Sequence, residues 1–531
     1  MRFATNHIFL RYQRLYLPAL SPYTPALLKL VRPESLITTE QAVLMKKTSL
    51  AVAVTAICYS QLALAEGYKL FEQSVSAMGN AYAGRGAQIT DASLVYSNPA
   101  AITELSAPQW AGGLNLIHAE TKYNQVSAQS AGGTTVVGRA DGKNSLNEAV
   151  PFVFYSTPVN ERLSLGAGFY VPFGLSADYQ DDWAGRYFAD ETAIEVLALS
   201  GVAGYKLSEQ WSVGLGLSLN RAEGTLTKYK DHNGLCELGT GINQLYKADV
   251  YNPLVCQSRY AVNGDDLAFG YSLGLHGQLS PELRVALTYH SAVRFTLQGD
   301  SVITNTPITG AQVAGNSNFI VVSPTLPAIS KQTGKLAINP RTTEASQLAL
   351  TTPASLALSL DHQLSTEWSW QASLSWTLWS DFRSIDIVST ADTPSISLST
   401  QQPQNLNSNG YIGFIPEHWR DSVSVAVGLS WQQQSDRMFK TGLAYDENPI
   451  EQSHRTARVP TNDRIWWTVG MNQQLTTQWS LDLAAGWMWM DALNIREREY
   501  NVQEVALYKS NLNAHYRNDA WLLGAQLNYR F

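Results

Sequence analysis

The chain has 531 residues and a formal charge of −7, which leaves no basic footprint for nucleic acid. Only 15% of its residues are charged, against about 25% in ordinary soluble proteins, yet it carries 15 Trp and 25 Tyr. A mean hydropathy of −0.15 excludes a bundle of membrane helices and points to strands with one apolar and one polar face.

From Met45 the chain reads MKKTSLAVAVTAICYSQLALAEGYKL: two lysines, an apolar run, then Ala63-Leu64-Ala65 in a small-x-small arrangement. This pattern predicts a secretory signal over 45–65, cleaved after Ala65. Its apolar core is too short to span a bilayer, and Ile57 before Cys58 spoils a lipoprotein cleavage site. Residues 1–44 then read as an upstream extension from a misplaced start codon, with a genuine N-terminal arm as the alternative. Residues 66–107 do not alternate. They mix small residues and glycines with Tyr68, Leu70, Phe71 and Met78, too much apolar surface for a solvated tail. A compact hatch inside a barrel is expected, with Asn98-Pro99-Ala100 following an apolar, helix-tolerant run.

Residues 108–531 show a period of two. In WSVGLGLSL (211–219), Trp211, Val213, Leu215, Leu217 and Leu219 share one face, with Ser and Gly on the other. In WLLGAQLNYRF (521–531), Trp521, Leu523, Ala525, Leu527, Tyr529 and Phe531 share one face. That alternation is what a lipid-facing barrel strand requires. Six short polar turns, at 157–162, 206–210, 278–282, 363–367, 433–437 and 474–478, interleave with seven long loops. The loops are placed near 124–146, 179–190, 230–263, 300–348, 391–417, 447–461 and 496–513. The predicted fold is therefore all-β: a 14-stranded antiparallel transmembrane β-barrel plugged by the hatch. Hydrocarbon demands closure, because every backbone polar group must be paired there. Phe531 behind an alternating strand also fits the terminal signal read by the outer-membrane barrel assembly machinery.

The third strand, LSLGAGFYVPFGLSADY (163–179), holds Pro172 well inside an apolar run, flanked by Gly168 and Gly174. Proline removes a ladder hydrogen bond, so a kink or bulge is expected, and with it a gap in the wall. The Asn98-Pro99-Ala100 segment is expected to pack against that gap from inside. Cys236 and Cys256 share one polar loop of an exported chain and are expected to form a disulfide. No CxxC spacing or His cluster suggests a metal, and no G-x-S-x-G or H-E-x-x-H suggests catalysis, although a barrel lipase needs neither.

The hatch stretch SAMGNAYAGRGAQITDASLVYSNPAAIT resembles that of the FadL family of outer-membrane long-chain fatty-acid transporters, whose relatives also import aromatic hydrocarbons. DDWAGRYFAD (181–190), NGDDLAFGYSLGL (263–275), GLAYDENPI (442–450) and RVPTNDRIWW (458–467) follow in the family's order. The resemblance implies a monomeric barrel, passive and without cofactors, in contact with outer-membrane lipids and lipopolysaccharide. It implies a first ligand groove among the external loops, a tighter lumen pocket, movement of the hatch, and sideways exit at the third-strand kink. It assigns Tyr68 to ligand contact, with hatch packing as the alternative, and puts Lys228 where a carboxylate-binding arginine is found, with a solvated rim lysine as the alternative. A second basic ligand of the family is replaced by Asp386, and the nearby Arg383 differs from it in parity. This acid counts against a fatty-acid cargo and strengthens the reading of an uncharged one, yet passive uptake of long-chain fatty acids stays ahead of uptake of hydrocarbons. An adhesin or phage-receptor role could coexist with transport through the same loops.

Overall fold

The computed structural model of the chain describes residues 67–130, 133, 135–231, 257–324, 326–392, 396, 410–507 and 509–531. The expected leader, the extension before it, and the Cys236–Cys256 pair all lie outside the described residues.

Fourteen strands run antiparallel around one closed sheet. The first six are continuous: β1 (Gln109–Gln129), β2 (Gly142–Pro158), β3 (Leu163–Asp178), β4 (Glu191–Lys206), β5 (Trp211–Asp231) and β6 (Gln257–Ser280). The next four are each interrupted once along their length. They are β7 (Leu283–His290 and Val293–Pro307), β8 (Ile338–Thr352 and Ser355–Gln363), β9 (Trp368–Thr377 and Ser384–Ser389) and β10 (Tyr411–Pro416 and Ser422–Gln434). Then come β11 (Arg437–Asp446), β12 (Arg464–Gln474), β13 (Trp479–Met490 and Leu493–Glu497) and β14 (Asn511–Arg530). The seam closes where β1 pairs with β14, from Gln109↔Arg530 to Gln129↔Asn511.

The alternation read from sequence is the alternation of burial. Along β14 the outward Trp521 and Leu523 are exposed, whereas the inward Leu522 and Gln526 are almost fully covered. Leu215, Leu217 and Leu219 of β5 likewise present to the outside. Aromatic side chains cluster where the wall meets water, as with Trp110, Trp479 and Tyr529 at the short-turn end. All six short turns fall where expected. Several strands run further than expected on the long-loop side: residues 124–129, 142–146, 300–307 and 338–348, placed in loops by sequence, are ladder-paired. Above the lipid both faces of the sheet meet water, so the apolar alternation disappears while the hydrogen bonding continues.

The hatch fills the lumen with two single-turn helices, α1 (Val75–Met78) and α2 (Leu94–Ser97), and a 3-10 turn at Ala101–Glu104. Inward polar side chains receive its backbone groups. Gln526 Oε1 accepts from the Val75 N–H at 2.9 Å, Lys440 Nζ donates to Ser76 O at 2.9 Å, and Asn115 Nδ2 donates to Glu72 O at 2.7 Å. These are the internal partners a lumen plug needs in place of water. Asn98-Pro99-Ala100 docks on β4, β5 and β6. Asn98 Nδ2 bridges Gly86 O at 2.9 Å and Leu275 O at 3.2 Å, and Gly214 and Gly274 face the triplet so closely that a Cβ on either would overlap it.

Candidate ligand site

β3 pairs with β4 along its whole length but with β2 only over Ser164–Phe169. Its register to β4 slips between Tyr170 and Phe173, bracketing Pro172. From Tyr170 upward the β2-facing edge of β3 therefore has no wall partner, while Gly142–Phe152 of β2 pair with β1 alone. The kink expected at Gly168, Pro172 and Gly174 is present as a bulge with an opening beside it. Asn98-Pro99-Ala100, expected to cover that opening, does not: its docking glycines are on other strands. The hatch's first described residues cover it instead. Leu70 N–H donates to Pro172 O at 3.0 Å, Gly174 N–H donates to Tyr68 O at 3.1 Å, and Gln73 Nε2 reaches Val171 O at 2.9 Å. Lys69 and Phe173 form an antiparallel bridge. Three residues of hatch thus stand in for the missing stretch of β2 and satisfy the groups that proline and bulge leave open.

Spaces flank this latch on both sides. An interior space of about 1120 Å³ is lined by Tyr68, Leu70, Phe71 and Met488, among others. A groove of about 970 Å³ runs along β2 and β3 to Glu148, Glu195 and Glu223. Leu70, Leu146 and Gly174 line both. The latch is the partition between them.

Tyr68 is buried at 3% exposure in a cluster of rings: Trp379 lies 4.8 Å away between centroids, Trp419 5.7 Å, Phe173 5.9 Å and Phe382 6.0 Å. This cluster continues into a narrow apolar cavity lined by Ile194, Leu226, Val262, Leu297, Leu350 and Phe382. Tyr68 therefore packs the hatch and also borders the apolar cavity's ring cluster.

Two lysines stand above the cavity. Lys228 and Lys230 follow Leu226 at even spacing on β5, so all three point inward, the lysines about 7 and 13 Å up the strand. Lys228 Nζ already meets Glu499 Oε1 at 2.7 Å, with the two side chains 22% and 24% exposed. Lys230, which sequence reading passed over, lies 4.8 Å from the Tyr260 ring centroid, and its buried Nζ has no hydrogen-bond partner among the described residues. Cation–ring attraction holds it without using its three donors. Asp386 falls between Ile385 and Ile387, both buried in the apolar cluster, so it projects to the opposite face and donates no charge to the cavity. The objection it raised against a carboxylate cargo is removed.

Two further charges were invisible in sequence. Glu417, in the external connection within β10, is fully buried. Its Oε2 accepts from Trp419 Nε1 at 2.8 Å, its Oε1 is unpartnered, and burial pushes its carboxyl up to about 8. Arg458, in the loop between β11 and β12, donates to Thr192 Oγ1 at 2.9 Å and Thr227 O at 3.0 Å, and burial lowers its pKa. Together they knit the external loops over the ring cluster. No local motif announces Arg458, because its partners Thr192 and Thr227 lie more than two hundred residues away in the chain.

Comparisons with known proteins agree with this architecture. A family model described as outer membrane protein transport protein (OMPP1/FadL/TodX) matches residues 56–531. The long-chain fatty acid transport protein of Escherichia coli O6:H1 is 27% identical over 500 residues, taking in 92% of this chain and all of the relative. Outer membrane protein P1 of Haemophilus influenzae is 26% identical over 512 residues, again 92% of this chain and all of the relative. Among solved structures, a Pseudomonas aeruginosa FadL homologue superposes with a TM-score of 0.72 at 20% identity, over 88% of this chain and all of that one. The Pseudomonas putida toluene transporter TodX gives 0.57 at 15%, over 88% and 100%. A closed fourteen-strand barrel, a lumen hatch and a family match across nearly all of the described chain lead to one assignment: the protein belongs to the OMPP1/FadL/TodX family of outer-membrane transporters of hydrophobic compounds.

Proposed function

We propose that the protein takes up long-chain fatty acids passively: the acyl tail lodges in the apolar cavity, the hatch latch withdraws, and the cargo leaves sideways between β2 and β3. The observation that carries this reading is a pair of inward lysines directly above an apolar cavity, one with its donors unused among the described residues. Burying a dozen methylenes contributes roughly 10 kcal/mol before the costs of association. A hydrogen bond from Lys230 to a carboxylate contributes about 1.5–3 kcal/mol more and fixes which end is up. The tail supplies affinity and the lysine supplies orientation. Relatives described as fatty acid transport proteins, alignable over their full length, support the same cargo.

One observation favours an uncharged hydrocarbon instead: Lys228 is already neutralised by Glu499, so half of the cationic pair is spent. Ligand extraction decides between them. The purified protein, offered equal amounts of palmitate and hexadecane, should retain palmitate in excess, and retention of hexadecane alone would refute the acid reading. Sideways exit has its own test. Replacing 171–173 with strand formers that restore a continuous β2–β3 ladder should abolish uptake while leaving binding intact. Unimpaired uptake through a wall shown to be sealed would refute it.

A further inference from the structure

Beside the latch the hatch leaves another chamber, of about 550 Å³, against the inner faces of β8 to β12. Phe71, Tyr82 and Arg85 enter it from the hatch, and the wall supplies small residues, chiefly Ser, Thr and Ala. Donors there exceed acceptors. The Arg85 guanidinium lies 5.3 Å from the Phe71 ring centroid, 5.9 Å from Tyr82 and 5.4 Å from Tyr96. It makes no hydrogen bond to any described residue. The Tyr82 hydroxyl and Thr468 Oγ1 are buried and also unpartnered, and Thr468 is only 2% exposed. One carboxylate faces the same space and is engaged: Asp446 accepts from Trp466 Nε1 at 2.5 Å. Glu72, which lines the interior space behind the latch, accepts from the Phe71 N–H at 2.7 Å. The guanidinium is half-buried, its fork meets no acceptor among the described residues, and two buried orphaned hydroxyls stand beside it.

We propose that this chamber is a second head-group station, in which Arg85 binds the carboxylate of the cargo and Tyr82 and Thr468 donate to its oxygens. Phe71 and Trp466 line both this chamber and the interior space behind the latch. A head group fixed at Arg85 leaves the tail to run past Phe71 toward Leu70, where interior and outer spaces meet. The apolar end then enters the membrane first, and the charged end, released last, crosses the wall only after the tail is solvated by lipid. Three rings around the guanidinium hold it in place without consuming its donors, which is how an empty anion site is kept ready. The inference rests on the acid-uptake reading above.

Palmitate carrying a photoreactive diazirine beside its carboxyl tests it on the intact protein. Wild type should be labelled on the Trp368–Thr377 segment of β9, which lines the chamber. Arg85→Gln should lose that label roughly tenfold, the scale set by removing a hydrogen bond to a charged group. Arg85→Lys, which keeps the cation, should retain most of it and shows that loss in Arg85→Gln is not unfolding. Labelling near Lys230 should be unchanged in both. Wild type that binds palmitate but never labels β9, or Arg85→Gln labelled like wild type, overturns the second station while leaving acid uptake standing. Wild type that binds hexadecane and no palmitate overturns both.

Discussion

Tyr68→Ala tests whether the latch is held by its ring. The side chain is 3% exposed and sits within 6.0 Å of four other aromatic rings. Truncating a buried aromatic side chain to Ala costs about 3–5 kcal/mol in a core that cannot collapse. Here one flank borders the interior space of about 1120 Å³, so relaxation is partial and the low end applies. The two backbone bonds of the latch remain, each with a net value of about 1 kcal/mol. A loss of about 3 kcal/mol raises the open fraction roughly a hundredfold. The Gly174 amide reports it, because its only described acceptor is Tyr68 O. Native-state hydrogen exchange at Gly174 and Leu70 should accelerate about a hundredfold, with the β1–β14 ladder unchanged as the internal control. Protection at Gly174 within about threefold of wild type would refute the idea that ring packing holds the seal.

Two other outcomes follow. Glu499→Gln releases Lys228 from its 2.7 Å partner and should tighten palmitate binding up to about fivefold, the worth of a partly exposed pair, with no change for hexadecanol. Calorimetric titration of both ligands checks it, and equal effects on the two would show that Lys228 does not meet the head group. Glu417 predicts a pH dependence: its pKa is raised in the fold, so its contribution to packing is complete below the ordinary carboxylate range and is lost as pH rises through about 8. Beyond the intrinsic base-catalysed rise, exchange of the loop amides around Trp419 should quicken as pH climbs from the ordinary carboxylate range to about 8, and Glu417→Gln should abolish that excess; an excess that survives the substitution would place its cause elsewhere.

Much of the wall was legible because lipid enforces it. Trp521 and Leu523 could only face outward once Gln526 and Asn528 faced in, and each tight turn was marked by its own polar residues. Legibility ended where lipid ended: residues 338–348 pair as a strand without an apolar face, so nothing in their order distinguishes them from a loop. Pro172 announced a break by its missing N–H, a local property. Which segment covers the break is not local. Asn98-Pro99-Ala100 goes instead to Gly214 and Gly274, and the clue was the run of inward glycines on β5 and β6, flat ground for a backbone to approach. Lys230, Glu417, Arg458 and Arg85 escaped notice for one shared reason. A charge is informative only by its surroundings, and theirs are assembled from strands far apart in the chain.

That three hatch residues replace a length of β2 also sets a gauge. Neighbouring strands lie about 4.8 Å apart, so a gap one strand wide measures about 9–10 Å between the backbones on either side. Once the thickness of those backbones and their side chains is subtracted, the slot admits one acyl chain or one flat ring edge-on. A bilayer lipid with paired tails is too broad for it, and so is a solute that keeps its hydration shell. On the proposed sideways exit the barrel opens without leaking the contents of the membrane inward, and the periodicity of the sheet itself, rather than any selectivity group, decides the width of what departs.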